Sequence, residues 1–421
     1  MTAFAVVAAD PSGVAGFYYH PRLVAVVHMV TLGWISGSIL GSLYVVGPLA
    51  FRTALPARRA DYVAFASFAI GVVGIVSHFW IDNLSGMAWS ALLVVASLCL
   101  VGFRVLRGLR SAPVPGAARL PIALAILNVL VAALVGIALG VNKTAAFLPA
   151  SQLNSVLGHA HLAVLGWAVL MVMGVGYRLL PMILPAAMPR GAWPYAGTLL
   201  TEVGAWGVFV AFLGGGEWVP VFAPIAVAGV GVFLAHVVWM TRHRRPAPKE
   251  LPRPDLSVAH AVQALAYLAL SAAIGLYLAF APESEATLRL AMAYGVFALV
   301  GFLSQMVVGV AGRLLPLYGW LWGFADRRRE VSPPSLHRAP SRTLQALVLA
   351  LWSLGVPALA AGFAGDRAVL IAGAAAALGV AVVLGGMNLV VILFRLWRRG
   401  PGDTDRQAMS PYLSRPSDTG T

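Results

Sequence analysis

Four histidines, His28, His78, His159 and His161, are the residues whose type and placement point most directly to chemistry. Measured from the ends of the apolar runs that carry them, His28, His159 and His161 fall roughly two helical turns inside one edge. His78 falls about one turn before the same edge, so all four share one depth. A neutral imidazole is the commonest metal ligand and the usual axial ligand of haem iron. Ionisable groups within hydrocarbon are costly and face a partner in the bundle interior. Four at one level therefore point to metal or haem binding rather than to isolated packing hydrogen bonds. His159 and His161, two residues apart, lie about 200° apart around a helix, so they face opposite sides and would serve different centres. The other histidines differ in depth. His20 precedes the first span, His236, His243 and His260 lie near or beyond the opposite edge, and His337 falls in a basic loop; these five read as interfacial, solvated or snorkelling.

The elements that must position these rings are membrane helices. The chain has 421 residues, 60% hydrophobic and only 10% charged, a composition with too little charge for a water-facing surface. Apolar runs long enough to cross about 30 Å of hydrocarbon recur at residues 22–50, 62–83, 87–108, 120–141, 155–185, 192–213, 219–241, 257–281, 287–317, 344–364 and 368–396. The expected fold is an all-α integral membrane protein of about eleven transmembrane helices in a single domain over 1–421.

The net charge of +14 would suit a nucleic acid, but its distribution assigns it to the bilayer. All Lys and Arg except Arg22, Lys143, Arg289 and Arg367 follow odd-numbered spans or lie in the tail. The positive-inside rule then places the N-terminus outside and the C-terminus in the cytoplasm of a bacterial-type inner membrane, which requires an odd number of spans. Residues 1–20 lack the pattern of a signal peptide. Residues 242–255 and 323–343 read as cytoplasmic loops and 400–421 as a solvated tail. Cys99 is the single cysteine, within the third span, so any metal must use nitrogen or oxygen ligands, and no Cys-Xaa-Xaa-Cys-His is present to attach haem covalently.

A phrase recurs along the chain. His28-Met-Val-Thr-Leu-Gly33-Trp34 runs to Pro48, and His161-Leu-Ala-Val-Leu-Gly166-Trp167 runs to Pro181, with Gly five and Pro twenty residues after the His in both. A weaker third copy, Val296-Phe-Ala-Leu-Val-Gly301-Phe302, runs to Pro316 and shares Arg-Leu-Leu-Pro with the second (Arg178 to Pro181, Arg313 to Pro316). The period, about 134 residues, divides the spans into pseudo-symmetric repeats of four, four and three, at about 20–145, 150–283 and 284–398. Among other polar residues in the spans, Glu202 is a proton-relay candidate. Asn128, Gln305 and Asn388 read as interhelical hydrogen-bond formers, and Arg178 and Arg313 as snorkelling anchors.

The stretch Gly158-His159-Ala160-His161-Leu162-Ala-Val-Leu-Gly166-Trp167 resembles the His-Xaa-His helix of haem-copper oxidase subunit I, above all the C-type cytochrome oxidases and the related nitric oxide reductases. In that family the first His binds the high-spin haem and the second the low-spin haem, within a three-fold pseudo-symmetric ring of helices. The resemblance admits two registers. In one, the chain starts at the family's second helix, His28 matches its low-spin ligand, and Tyr294 and Val296 stand where the family has its two haem histidines. In the other, span 5 is the tenth helix, His28 and His78 match copper-bearing positions, and Phe79 replaces the second member of a His-His pair.

The resemblance thus implies one or two b-type haems held by His28, His159 and His161, with His28, His78, His159 and His161 as the candidate ligands of haem iron or copper. A bis-histidine haem on His28 and His161 is the economical arrangement. The implied function is electron transfer, or binding or reduction of O2 or NO at the outer side, as an oxidoreductase of the terminal oxidase or nitric oxide reductase type. The implied partners are the lipid bilayer, a cytochrome c-type donor subunit and a small gas ligand, and no nucleic acid. A haem- or copper-handling or transport protein without enzymatic activity is the alternative.

Overall fold

A computed structural model describes residues 1–15, 20–53, 55–148, 151–246, 253–324 and 339–398. Every regular element among them is a helix. Eleven are long and apolar enough to cross a membrane: Pro21–Phe51, Arg59–Trp80, Ser85–Arg110, Gly116–Lys143, Gln152–Ile183, Trp193–Leu213, Val219–Arg242, Leu256–Phe280, Glu285–Trp320, Arg342–Ala364 and Ala368–Arg395, referred to below as spans 1 to 11. The chain is an all-α, multi-pass membrane protein. The expected tail 400–421, His337 and most of the 323–343 loop lie outside the described residues.

Helix starts follow local chemistry. Pro21 opens span 1, where its fixed φ suits the first turn and no amide is lost, and the His20 ring caps it by accepting from the Arg22 amide at 3.2 Å. Asn83 caps span 3 and Ser151 caps span 5. The Asp255 carboxylate caps span 8 by accepting from the Ser257 and Val258 amides, and Ser284 with Thr287 forms a capping box on span 9. Such caps satisfy amides that no intrahelical carbonyl can reach.

Spans 1, 5 and 9 each contain an eight-residue π-helical segment: Met29–Ser36, Leu162–Val169 and Phe297–Ser304. Each begins at the residue after His28, His161 and Val296 respectively, and each contains a central glycine, Gly33, Gly166 or Gly301. At two of these glycines a neighbouring helix presses against the backbone. A Cβ at Gly166 would stand 3.0 Å from Asn128 Nδ2 of span 4, and one at Gly301 would stand 2.8 Å from the Tyr267 ring of span 8. The three spans also touch one another. Trp167 Nε1 donates to Ser36 Oγ at 3.1 Å and Arg178 Nε to the Ala50 carbonyl at 2.6 Å, joining spans 5 and 1. Tyr294 and His161 join spans 9 and 5, and the π segments of spans 1 and 9 lie side by side.

The larger apolar core is built on spans 1 to 5 and includes Phe51, Ile122 and Met173. A second core joins spans 10 and 11 to the N-terminal helix Thr2–Ala9, whose Phe4 ring meets Trp352 edge-on at 6.3 Å. Arg178 and Arg313 bond inward rather than snorkelling. Arg178 reaches the carbonyl at the end of span 1, and Arg313 pairs with Asp255. A guanidinium that finds a fixed acceptor at the same depth has less to gain from extending into the headgroup layer.

Candidate functional site

The histidines divide into three environments. His28 Nδ1–H donates to the Val24 carbonyl one turn back, at 2.8 Å. A carbonyl can only accept, so this bond fixes the neutral tautomer with its proton on Nδ1 and leaves the Nε2 lone pair available. The ring lies 5.1 Å from the Phe79 ring, inclined at 30°. His159 lies on span 5 against Gly136 of span 4. Its Nδ1 is buried without a hydrogen bond of ordinary geometry. His28 and His159 both line one cavity, and Ala132 of span 4 lines the same cavity.

That cavity lies among spans 1 to 5, with Leu303 of span 9 completing the wall. It gives the centre of a water-sized sphere about 110 Å³ of freedom, several times the roughly 10–15 Å³ that holds one water. Its lining is apolar apart from the two imidazoles and the hydroxyls of Thr31 and Ser36. Both hydroxyls are engaged, Thr31 donating to the Val27 carbonyl and Ser36 accepting from Trp167. The imidazoles are therefore the polar groups left to meet a guest. Met87 of span 3 adds a thioether to the wall, a soft donor that sequence reasoning passed over because one methionine in an apolar run carries no periodic signal.

His161, two residues on from His159, faces elsewhere. Its Nδ1–H donates to the Leu157 carbonyl at 2.8 Å. Its Nε2 accepts from the Tyr294 hydroxyl at 3.4 Å, and its ring lies near those of Tyr294 and Phe212. The structure thus brings His28 together with His159, not with His161. His78 also stands apart. Its Nδ1–H donates to the Gly74 carbonyl at 2.7 Å, with Ser90 Oγ 3.3 Å away, and its Nε2 edge packs on Gly86 of span 3. The next residue, Phe79, is the one that lines the cavity. Among the described residues no three His, Cys, Asp or Glu side chains form a group that could hold a metal ion.

Glu202 of span 6 lies beside this region. Its carboxyl oxygens accept from Asn128 Nδ2 at 2.7 Å and from Trp206 Nε1 at 3.1 Å. Asn128, 1% exposed, also donates to the Gly166 carbonyl at 3.0 Å and accepts from Trp206 at 2.9 Å. The acid is therefore tied to the middle of the span 5 π segment.

Of the histidines read as solvated, His243 is exposed, whereas His236 hydrogen-bonds Tyr177 at 2.9 Å. His260 is a correction, because it is 4% exposed and bonded to Gln305. Its place near a helix end suggested water, but span 9 covers it. No family model matches the chain, and no curated protein is significantly similar to it.

Proposed function

We propose that the chain is a haem-binding membrane protein of the haem-copper oxidase subunit I type, with His28 and His159 as the residues that hold the metal centre. The observation that carries this reading is the meeting of two imidazoles, from spans 1 and 5, on one apolar cavity. The cavity residues fit such a group. His28 presents a free Nε2 from a tautomer fixed by its backbone bond, and His159 is a buried ring with an unsatisfied nitrogen. The walls, including Phe79, Val129 and Ala133, are apolar as a macrocycle requires. Bound haem iron would supply reversible one-electron chemistry and an affinity for diatomic gases. The chain's own contribution is to fix ring orientation, exclude water and set the polarity around the metal.

The three π segments support the repeat reading. They begin at residues 29, 162 and 297, the places where the recurring phrase aligns. Single-turn π bulges concentrate at functional sites in helices. The positive-inside pattern supports an external N-terminus and a site near the outer face of a bacterial-type inner membrane, where a cytochrome c-type partner would deliver electrons. Met87 supports a second reading, in which copper is held by the same two histidines with the thioether as a third donor, in a copper-handling rather than a catalytic protein.

An optical spectrum of the purified, dithionite-reduced protein, with a copper assay on the same sample, tests both. The haem reading predicts b-type Soret and alpha bands, and an open coordination position would shift them with carbon monoxide. Copper without these bands supports the second reading. Absence of both haem and copper sinks the two together.

A further inference from the structure

A second concavity lies on the lipid-facing side of spans 10 and 11, away from the histidine cavity. It encloses about 510 Å³, within the roughly 300–1,000 Å³ of sites that hold small molecules. Its floor is made of small residues, Gly355 and Ala358 of span 10 and Gly373, Ala374 and Ala377 of span 11. Leu354 and Val369, 73% and 88% exposed, form its rims. Behind the floor the two helices are in close contact, since a Cβ at Gly355 would stand 2.8 Å from Leu378 and one at Gly362 2.8 Å from Ile371. At Gly373 a Cβ would meet nothing within 4 Å.

One end of the groove is charged. Arg367, in the turn joining the two spans, is part of its lining, and Asp366 beside it holds a left-handed backbone with φ of 50°. Arg22 and Arg289, on the same membrane side by span alternation, pair with Asp10 and Glu285. Neither Arg367 nor Asp366 makes an ion pair among the described residues, with each other or elsewhere. The two formal charges at the mouth cancel, so they complement a headgroup that carries both signs.

The length of the groove selects its occupant. From Ala368 to Ala377 span 11 rises about 14 Å, half of the roughly 30 Å hydrocarbon layer. Beyond that depth Leu347 and Val380, seven residues before Leu354 and three after Ala377, are large and exposed on the same faces. A partner helix would need a furrow through both leaflets, whereas an acyl chain needs one. Lipid tails are as apolar as this floor, so burial alone favours no particular lipid. The polar contact at the mouth must supply selectivity, and a guanidinium fork matches phosphate oxygens.

We propose that this groove is a phospholipid site for an ethanolamine-type lipid. Arg367 donates to the phosphodiester, the Asp366 carboxylate accepts from the headgroup ammonium, and one acyl chain lies over Gly355 and Gly373. The inference is independent of the haem reading, because none of these residues lines the histidine cavity.

Native mass spectrometry of the full chain, released from mixed micelles holding equal phosphatidylethanolamine and phosphatidylglycerol, tests it. One retained phosphatidylethanolamine per chain is expected, favoured at least fivefold over phosphatidylglycerol. Occupancy is expected to fall at least fivefold in Arg367→Gln and in Gly373→Leu, which fills the groove, and to be unchanged in Val390→Leu, at a position of span 11 that is 65% exposed. Asp366→Asn is expected to abolish the preference for ethanolamine. Arg367 is exposed, so its variant reports on the site even if Gly373→Leu does not fold. Retention of no lipid, preference for phosphatidylglycerol, or occupancy undiminished in Arg367→Gln or in a folded Gly373→Leu overturns the proposal.

Discussion

At the scale of single residues, the orientation of an imidazole decides what it can do, and here the backbone sets that orientation. His28 and His161 make the same bond, Nδ1–H to the carbonyl four residues back, yet their surroundings differ. His28 lines the apolar cavity, whereas His161 meets Tyr294. The polar network around Glu202 has a similar logic. Removing Asn128 takes one donor from the Gly166 carbonyl and one from a Glu202 oxygen. Asn128→Ala is expected to destabilise the protein by about 0.6 kcal/mol, and by up to about 1.7, as for other interhelical hydrogen bonds in membranes; denaturation in mixed micelles measures it. The place of each of the four histidines along its span was legible in the sequence because hydropathy fixes where a span begins. Which of them share a cavity was not, because that depends on how five helices pack. The choice of Phe79 rather than His78 as the cavity's neighbour follows from a rotation of about 100° between adjacent residues on span 2.

At the scale of elements, the π segments matter most. An extra residue in a turn changes the rotational phase of everything beyond it, and in span 5 that phase relates His159 to Trp167, both of which line the cavity. Deleting Ala163 is expected to restore α-helical spacing and turn His159 by about 100° relative to Trp167. Under the proposed function, loss of the metal centre with helical content unchanged by circular dichroism is the expected outcome. Retention of the centre would detach the π segment from the site. The recurring Gly-Trp or Gly-Phe phrase marked these places in the sequence, but its local meaning was hidden, since propensities do not separate π from α turns. Span boundaries were more accessible. The expected 120–141 ends within four residues of Gly116–Lys143 at either end, and 192–213 within one of Trp193–Leu213, because proline, glycine and capping residues act locally. His260 shows the limit of such reasoning: distance from a helix end does not report what the neighbouring helix covers.

At the scale of the whole molecule, charge and hydropathy set the arrangement. Eleven apolar helices with arginines concentrated on alternate loops predict opposite locations for the two termini. A C-terminal fluorescent protein fusion is expected to be bright in bacterial cells and a C-terminal alkaline phosphatase fusion inactive. The reverse pattern would invert the orientation and put the histidine level at the inner face. The second apolar core, where the N-terminal helix packs on spans 10 and 11, was not foreseen, because a short helix before the first span shows no crossing signal of its own.

The pairing of His28 with His159 is the centre of this account, and one set of spectra tests it. Reduced-minus-oxidised difference spectra are recorded for the wild-type protein and for His28→Ala, His78→Ala, His159→Ala and His161→Ala, each purified as a monodisperse species. The predicted result is a b-type signal that falls at least tenfold in His28→Ala and in His159→Ala and survives in the other two. A signal that disappears in His28→Ala and His161→Ala but persists in His159→Ala would contradict it and return the haem to the symmetry-related pair.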